Sequence, residues 1–336
     1  MGQVEDRTNP AGRDARIGAQ RPQVRRYLAA LGVAALATAA VLVTAAARPS
    51  AEPEVKFDSA TAWKHLIKQC EFGPRFPGSE AHKSTRDWLV DRLKESCENV
   101  RTQEFTHQWS VGEKKITMWN VIGDVNWKDA KTRVLLLAHW DTRPYADQDP
   151  DDRNRAKPIV GANDGASGVA VLLEVMNAVK GRLPKDVGVM VLLTDGEDLG
   201  PGLDEMFLGA AHFAKNMPTP KPDYGILLDM IGDKDLRVPI ERNSYAYAPR
   251  LIRELYAHAA TVGLSETFPN VLGPWIEDDH IPLNEAGLPT IDLIDFTYEP
   301  WHTIRDTPDK CSAESLGKVG KLMETWLLKD PPFKIR

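Results

Sequence analysis

Several acidic residues and histidines in this 336-residue chain stand directly after runs of apolar residues, where they could act together. Leu135–Ala138 leads into His139-Trp140-Asp141, and Val191–Leu193 leads into Asp195-Gly196-Glu197-Asp198. Ile226–Leu228 leads into Asp229, and Ile291–Ile294 into Asp295 and then Trp301-His302. Asp164 sits in Gly161-Ala162-Asn163-Asp164-Gly165, at the start of a helical pattern. Read singly, each has an ordinary explanation: Asp beside Gly is common turn chemistry, and Glu197-Asp198 could be a solvated loop. Their coincidence at successive strand ends points to one site. A catalytic zinc takes three protein ligands, commonly His and carboxylate, and keeps one position open. Asp164, Asp198 and His302 supply such a set. Glu197 and Asp198 are adjacent and point in different directions in an extended segment, so one can bind metal while the other serves as general acid and base.

The elements that must position these residues are legible in the hydrophobic pattern. Helices are predicted over Thr61–Cys70 and after the turn Phe72–Gly78, the second capped by Ser79. Val100–Trp109 and Lys115–Val125 read as strands. Val134–Leu137, Val187–Leu193, Tyr224–Leu228 and Leu288–Ile294 are continuous apolar runs, as in strands buried on both faces. Helical spacing covers Gly168–Val179, Pro249–Val262 and Glu314–Leu328. The alternation indicates an α/β three-layer sandwich around a central mixed, mostly parallel sheet. In such sheets ligands bind at the carboxyl ends of the strands.

Charge divides the chain. Residues 1–47 carry net +3, and the remainder −9, for a total of −6. This balance argues against nucleic acid as the main partner. Tyr27–Ala47 is a nearly uninterrupted apolar run after Arg25-Arg26. It is long enough to cross a hydrocarbon core of about 30 Å. The expected organisation is a cytoplasmic arm over 1–26, a membrane anchor or signal segment over 27–47, a linker over 48–55 and a catalytic domain over 56–336. The anchor fits the length of the run and the basic residues on its inner side; Ala45-Ala46-Ala47 suits cleavage of a signal instead. Both place the body outside the cytoplasm, periplasmic or extracellular. Cys70, Cys97 and Cys311 are too few for a Cys₄ zinc site, and a Cys70–Cys97 bridge is expected in an oxidising compartment.

The body resembles the zinc aminopeptidases with co-catalytic metals, and within them the glutaminyl cyclases. The resemblance rests on HWD at 139–141, GANDGASG at 161–168, DGED at 195–198, LLDMIGD at 227–233, IEDDHIPLNEAGLP at 276–289 and WHT at 301–303. The last two point to the cyclases. It implies a zinc exopeptidase-like fold and one zinc on Asp164, Asp198 and His302. It further implies Glu197 as proton shuttle, Asp229 and Asp278 as a hydrogen-bonded acidic pair beside it, and Trp301 as an apolar wall for the substrate. The implied reaction converts the N-terminal Gln of a peptide to pyroglutamate with loss of ammonia. Asp198 stands where animal cyclases have Glu, and Glu277 where they have Gln. No Trp follows within Leu199–Phe207, so Phe207 or Trp275 would supply that wall. A two-zinc aminopeptidase stays open, with His139 and Asp229 as further ligands and Asp164 bridging, as does a non-catalytic, membrane-tethered binding domain. The residue pattern also suggests that His280 is structural, that Arg143 shapes the loop after His139, and that Asp141 orients His139 or caps the turn.

Overall fold

The computed structural model describes residues 54–330 and 332–335. The predicted arm, apolar run 27–47 and most of the linker lie outside these residues. Among the described residues no helix is long and apolar enough to cross a membrane.

Six strands form one sheet: β1 (Asn99–Trp109), β2 (Lys114–Val125), β3 (Thr132–His139), β4 (Val187–Thr194), β5 (Tyr224–Asp229) and β6 (Thr290–Ile294). Their spatial order is β1-β2-β4-β3-β5-β6. β4, β3, β5 and β6 run parallel, while β2 is antiparallel to both β1 and β4. The predicted mixed, mostly parallel sheet is therefore observed. Because these four strands point the same way, the segments after them all emerge at one edge.

The side-chain period of two along a strand divides the core into two layers. Val134, Leu136 and Ala138 of β3, with Val189, Val191 and Leu193 of β4, belong to the larger cluster. It also takes in residues of helices α1 (Ser59–Glu71), α3 (Ala166–Val179), α6 (Pro249–Thr261) and α8 (Ala313–Leu327). The alternate residues Leu135, Leu137, Met190 and Leu192 pack on Phe213 of α4 (Leu208–Lys215) and Leu283 of α7 (His280–Glu285). Continuous apolar strands are thus explained by helices on both faces. The short helices α4, α7 and α5 (Arg242–Tyr247) carry too few turns for a clear apolar period in sequence.

α3 lies against the sheet at unusually close range. A Cβ built on Gly168 would stand 2.1 Å from the Leu228 carbonyl oxygen and 2.9 Å from Ala138 Cβ. Only glycine permits this approach, which brings the start of α3, and Asp164 just before it, beside the end of β5. The second predicted helix is α2 (Glu80–Lys94), and Ser79 caps it by accepting from His82 N at 3.0 Å. The expected Cys70–Cys97 bridge is not formed; all three cysteines are free. Cys97 packs at the α2–β1 junction against Gly123, whereas Cys70 ends α1 close to the charges of Arg75 and Asp306. Both thiols pack against the larger core cluster without pairing.

Candidate metal centre and cleft

Asp164, Asp198 and His302 converge, each offering a ligand atom within 4.8 Å of the others. His302 Nε2 is 3.3 Å from Asp198 Oδ1 and 3.6 Å from Asp164 Oδ2. All three residues are buried, and Asp164 Oδ2 and Asp198 Oδ2 have no hydrogen-bond partner. Buried carboxylate oxygens left unpaired are costly unless a cation or proton joins them. Two carboxylates and one imidazole nitrogen also match the hard and intermediate donors that zinc accepts. The residues present therefore fit a metal ion.

Backbone geometry serves this convergence. His302 has φ +53°, in the left-handed region that bulky residues avoid. Strain of this kind persists where surrounding contacts over-determine it. Asp306 contributes by accepting from the Asn163 and Asp164 backbone N–H groups at 2.9 and 3.1 Å and from the Tyr298 hydroxyl at 2.7 Å. It thereby ties the loop after His302 to the loop before α3. Sequence reasoning missed Asp306, although its place four residues after His302 in WHTIRD was the available signal.

A second group shares Asp164. His139 Nε2 is 3.2 Å from Asp164 Oδ1 and 3.1 Å from Asp229 Oδ1, and these three also satisfy the distances of a metal-binding set. Asp141 caps the turn after β4, while its approach to His139 makes no hydrogen bond. Its Oδ1 lies 3.7 Å from His139 Nδ1, and its two oxygens accept from the Glu197 and Asp198 N–H groups at 3.2 and 3.3 Å.

Glu197 faces the cleft while Asp198 turns to Arg143 and His302. Burial, above all, pushes the Glu197 carboxyl well above its ordinary pKa; His139 opposes this, and Asp198 and Asp278 reinforce it. Asp198 is held below the usual range: burial would raise it, but His302 and Arg143 prevail. Adjacent carboxylates are thus separated by environment, as expected. Asp278 is buried beside α7, and burial together with Asp229 and Asp279 raises its pKa strongly. Asp229 and Asp278 are neighbours in charge, but Asp229 hydrogen-bonds to His139 and Asp278 Oδ2 lacks a partner.

Asp195 and Asp295 do not join the site. Asp195 turns inward to His82 at 2.8 Å and the Trp119 N–H at 2.6 Å. Asp295 accepts from the Arg237 and Thr297 backbones at 2.8 and 3.0 Å. His280 is buried with Nε2 3.3 Å from Glu241, and with Asp278 and Asp292 it meets the distances of a third metal-binding set. Arg143 does more than shape a loop: its guanidinium contacts Asp198 at 2.8 Å and Asp147 at 3.0 Å.

The centre opens into a cleft of about 500 Å³ whose walls include Glu197, Asp278, Trp301, Phe207, Met230 and Trp275. Trp301 stacks on the His302 ring, and both Phe207 and Trp275 reach the cleft, with Trp275 62% exposed at its mouth. Its far wall is apolar, and its floor is acidic.

The sequence model for peptidase family M28 matches residues 120–327, which include every strand from β3 to β6 and Asp164, Asp198 and His302. The chain belongs to peptidase family M28. The glutaminyl-peptide cyclotransferase of Bos taurus is 26% identical over 296 residues, covering 76% of this chain and 78% of that protein. The structure of Bacteroides thetaiotaomicron glutaminyl cyclase bound to N-acetylhistamine superposes with a TM-score of 0.78 at 32% identity, covering 82% of this chain and 99% of that one. A structure described as a leucine aminopeptidase precursor from the same organism gives 0.78 and 32%, covering 83% and 98%.

Proposed function

We propose that this M28 member is a zinc-dependent glutaminyl-peptide cyclotransferase, releasing ammonia as the N-terminal Gln of a peptide becomes pyroglutamate. One observation carries the reading most: Glu197, Asp278 and Trp301 open into the same cleft as Asp164, Asp198 and His302. The similarity to animal and bacterial cyclases supports it.

In this reading Asp164, Asp198 and His302 hold the zinc. Bound there, zinc acts as a Lewis acid on the substrate's γ-carbonyl. Glu197 accepts a proton from the peptide's α-amine as that nitrogen bonds to the γ-carbonyl carbon. It then returns the proton to the side-chain nitrogen, whose bond to the same carbon breaks and which leaves as ammonia. A buried carboxylate whose pKa is raised toward the working pH is suited to taking and giving one proton. Asp278, favoured in its protonated form by burial and by Asp229, donates toward the reacting carbon's substituents and orients them. Asp229 restrains His139. Trp301 provides the apolar wall against the Gln side chain, and Trp275 and Phe207 extend it toward the mouth.

A second reading, the two-zinc aminopeptidase, is favoured by the intact His139, Asp164 and Asp229 set. A paired assay separates the two. The cyclase releases ammonia from a Gln-peptide, shortens nothing, and binds one zinc per chain. Two zincs with cleavage of aminoacyl amides would reject it.

The substrates are peptides or proteins with an N-terminal Gln. We place the catalytic domain outside the cytoplasm and tether it through 27–47, on the strength of the basic arm and the apolar run in the sequence. Fractionation of cells with and without residues 1–47 tests this: the full chain should sediment with membranes and the truncated one should not.

A further inference from the structure

We propose that Arg143 and Asp147 form a clamp that positions two of the three metal ligands, fixing the ring nitrogen His302 presents and the oxygen Asp198 presents. The proposal rests on the metal reading above and adds residues outside the ligand set. Asp147 was not recognised in the sequence, where it follows Arg143 by four residues on the connection between β3 and α3.

The geometry runs in one chain of contacts. Asp147 Oδ1 lies 3.2 Å from His302 Nδ1, an ion-pair contact that falls short of a directed hydrogen bond. An imidazole whose Nδ1 carries the proton toward a carboxylate leaves Nε2 with its lone pair, and Nε2 is the atom aimed at Asp164 and Asp198. Arg143 grips Asp147 with a two-pronged contact, Nε to Oδ1 at 3.0 Å and Nη2 to Oδ2 at 3.0 Å. Its remaining nitrogen, Nη1, donates to Asp198 Oδ1 at 2.8 Å. That bond holds the Asp198 oxygen that also faces His302 Nε2 at 3.3 Å, while Oδ2 stays buried and unpartnered. One planar guanidinium therefore fixes Asp198 directly and His302 through Asp147. A lysine cannot do this, because a single ammonium lacks the rigid fork.

The surroundings hold the guanidinium in place. Arg143 is almost fully buried. Gly200 lies flat over it: a Cβ there would stand 3.0–3.2 Å from three guanidinium atoms. The loop after Glu197-Asp198 thus closes directly over the clamp, so that ligand loop and clamp are packed as one unit.

The test uses purified protein titrated with zinc against a chromophoric chelator, and the visible spectrum of the cobalt-substituted form. Asp147→Asn is expected to weaken zinc binding about 10- to 100-fold, to change the cobalt bands, and to lower kcat with little change in KM. Asp147→Glu should recover part of the affinity, and Arg143→Lys should lose affinity although the charge is kept. Asp147→Asn that lowers only Tm, with zinc affinity and cobalt bands as in the parent, overturns the proposal. So does a rise in KM alone, which would make Asp147 a substrate contact. Asp164→Ala is the control for the reading beneath it. If the parent protein binds zinc no better than Asp164→Ala, the metal centre itself is wrong, and the clamp falls with it.

Discussion

Trp301 stacks on His302, with ring centroids 3.9 Å apart and planes inclined by 24°. Adjacent residues seldom stack, and the positive φ of His302 is what turns the two rings onto each other. The cleft wall and a proposed metal ligand are therefore one rigid piece. Trp301→Ala should raise KM for Gln-peptides at least tenfold and also loosen zinc, because His302 loses the surface that holds its ring. Trp301→Phe, which keeps an apolar face, should retain most of both. Steady-state kinetics with a zinc competition titration checks this.

Glu197 is buried with a raised pKa but belongs to none of the three sets of metal-binding side chains. Glu197→Gln should keep zinc at parental affinity and lose about 10²- to 10⁴-fold in kcat, the range of general acid–base catalysis. Turnover near parental level would remove Glu197 from the proton-carrying role. The raised pKa also sets a direction for pH: kcat rises as the carboxyl ionises, and the rising limb should vanish in Glu197→Gln.

Removal of metal should cost stability as well as activity. Asp164 and Asp198 repel each other, and a ligand that binds only the folded state at 100 times its Kd contributes about 2.7 kcal/mol. Chelation should lower Tm, and one equivalent of zinc should restore it. His139→Ala should still bind that equivalent if one zinc suffices; loss of a second equivalent would favour the peptidase reading.

Gly168 tests the packing that carries Asp164. A side chain there meets the Leu228 carbonyl and Ala138, so Gly168→Ala should destabilise by about 1–3 kcal/mol, the range for overpacked cores. Urea denaturation measures it. The same variant should weaken zinc, since α3 must lift from the sheet.

His65 and His258 predict the acid side of the stability profile. Burial, helped by Arg92 for one and Lys329 for the other, pushes both pKa values down to about 4. The unfolded chain, with ordinary histidines, therefore binds more protons below about pH 6.5. Their contribution to stability should be level above that pH and fall between about 6.5 and 4. With solvent reaching both rings, each contributes roughly 1 kcal/mol. His258→Gln should flatten part of the decline, as read by thermal melts across pH.

The sequence by itself determined the sheet, its buried strands, the Ser79 cap and the family, because apolar period and local turn chemistry act over a few residues. It also determined which side chains could meet, since ligands gather at the carboxyl ends of parallel strands. Only the tertiary structure decided which did. Asp195 and Asp295 share the positions of Glu197 and Asp229 just past a strand, yet contacts from α2 and from the Arg237 loop draw them away. Asp147 and Asp306 joined the centre from loops whose sequence carries no period. The free state of Cys70 and Cys97 was likewise a matter of where α1 and α2 pack. Local pattern reaches along the chain; a site is made by contacts between distant segments, 55 residues apart for Arg143 and Asp198 and 142 for Asp164 and Asp306, and those depend on the packing of the whole sheet.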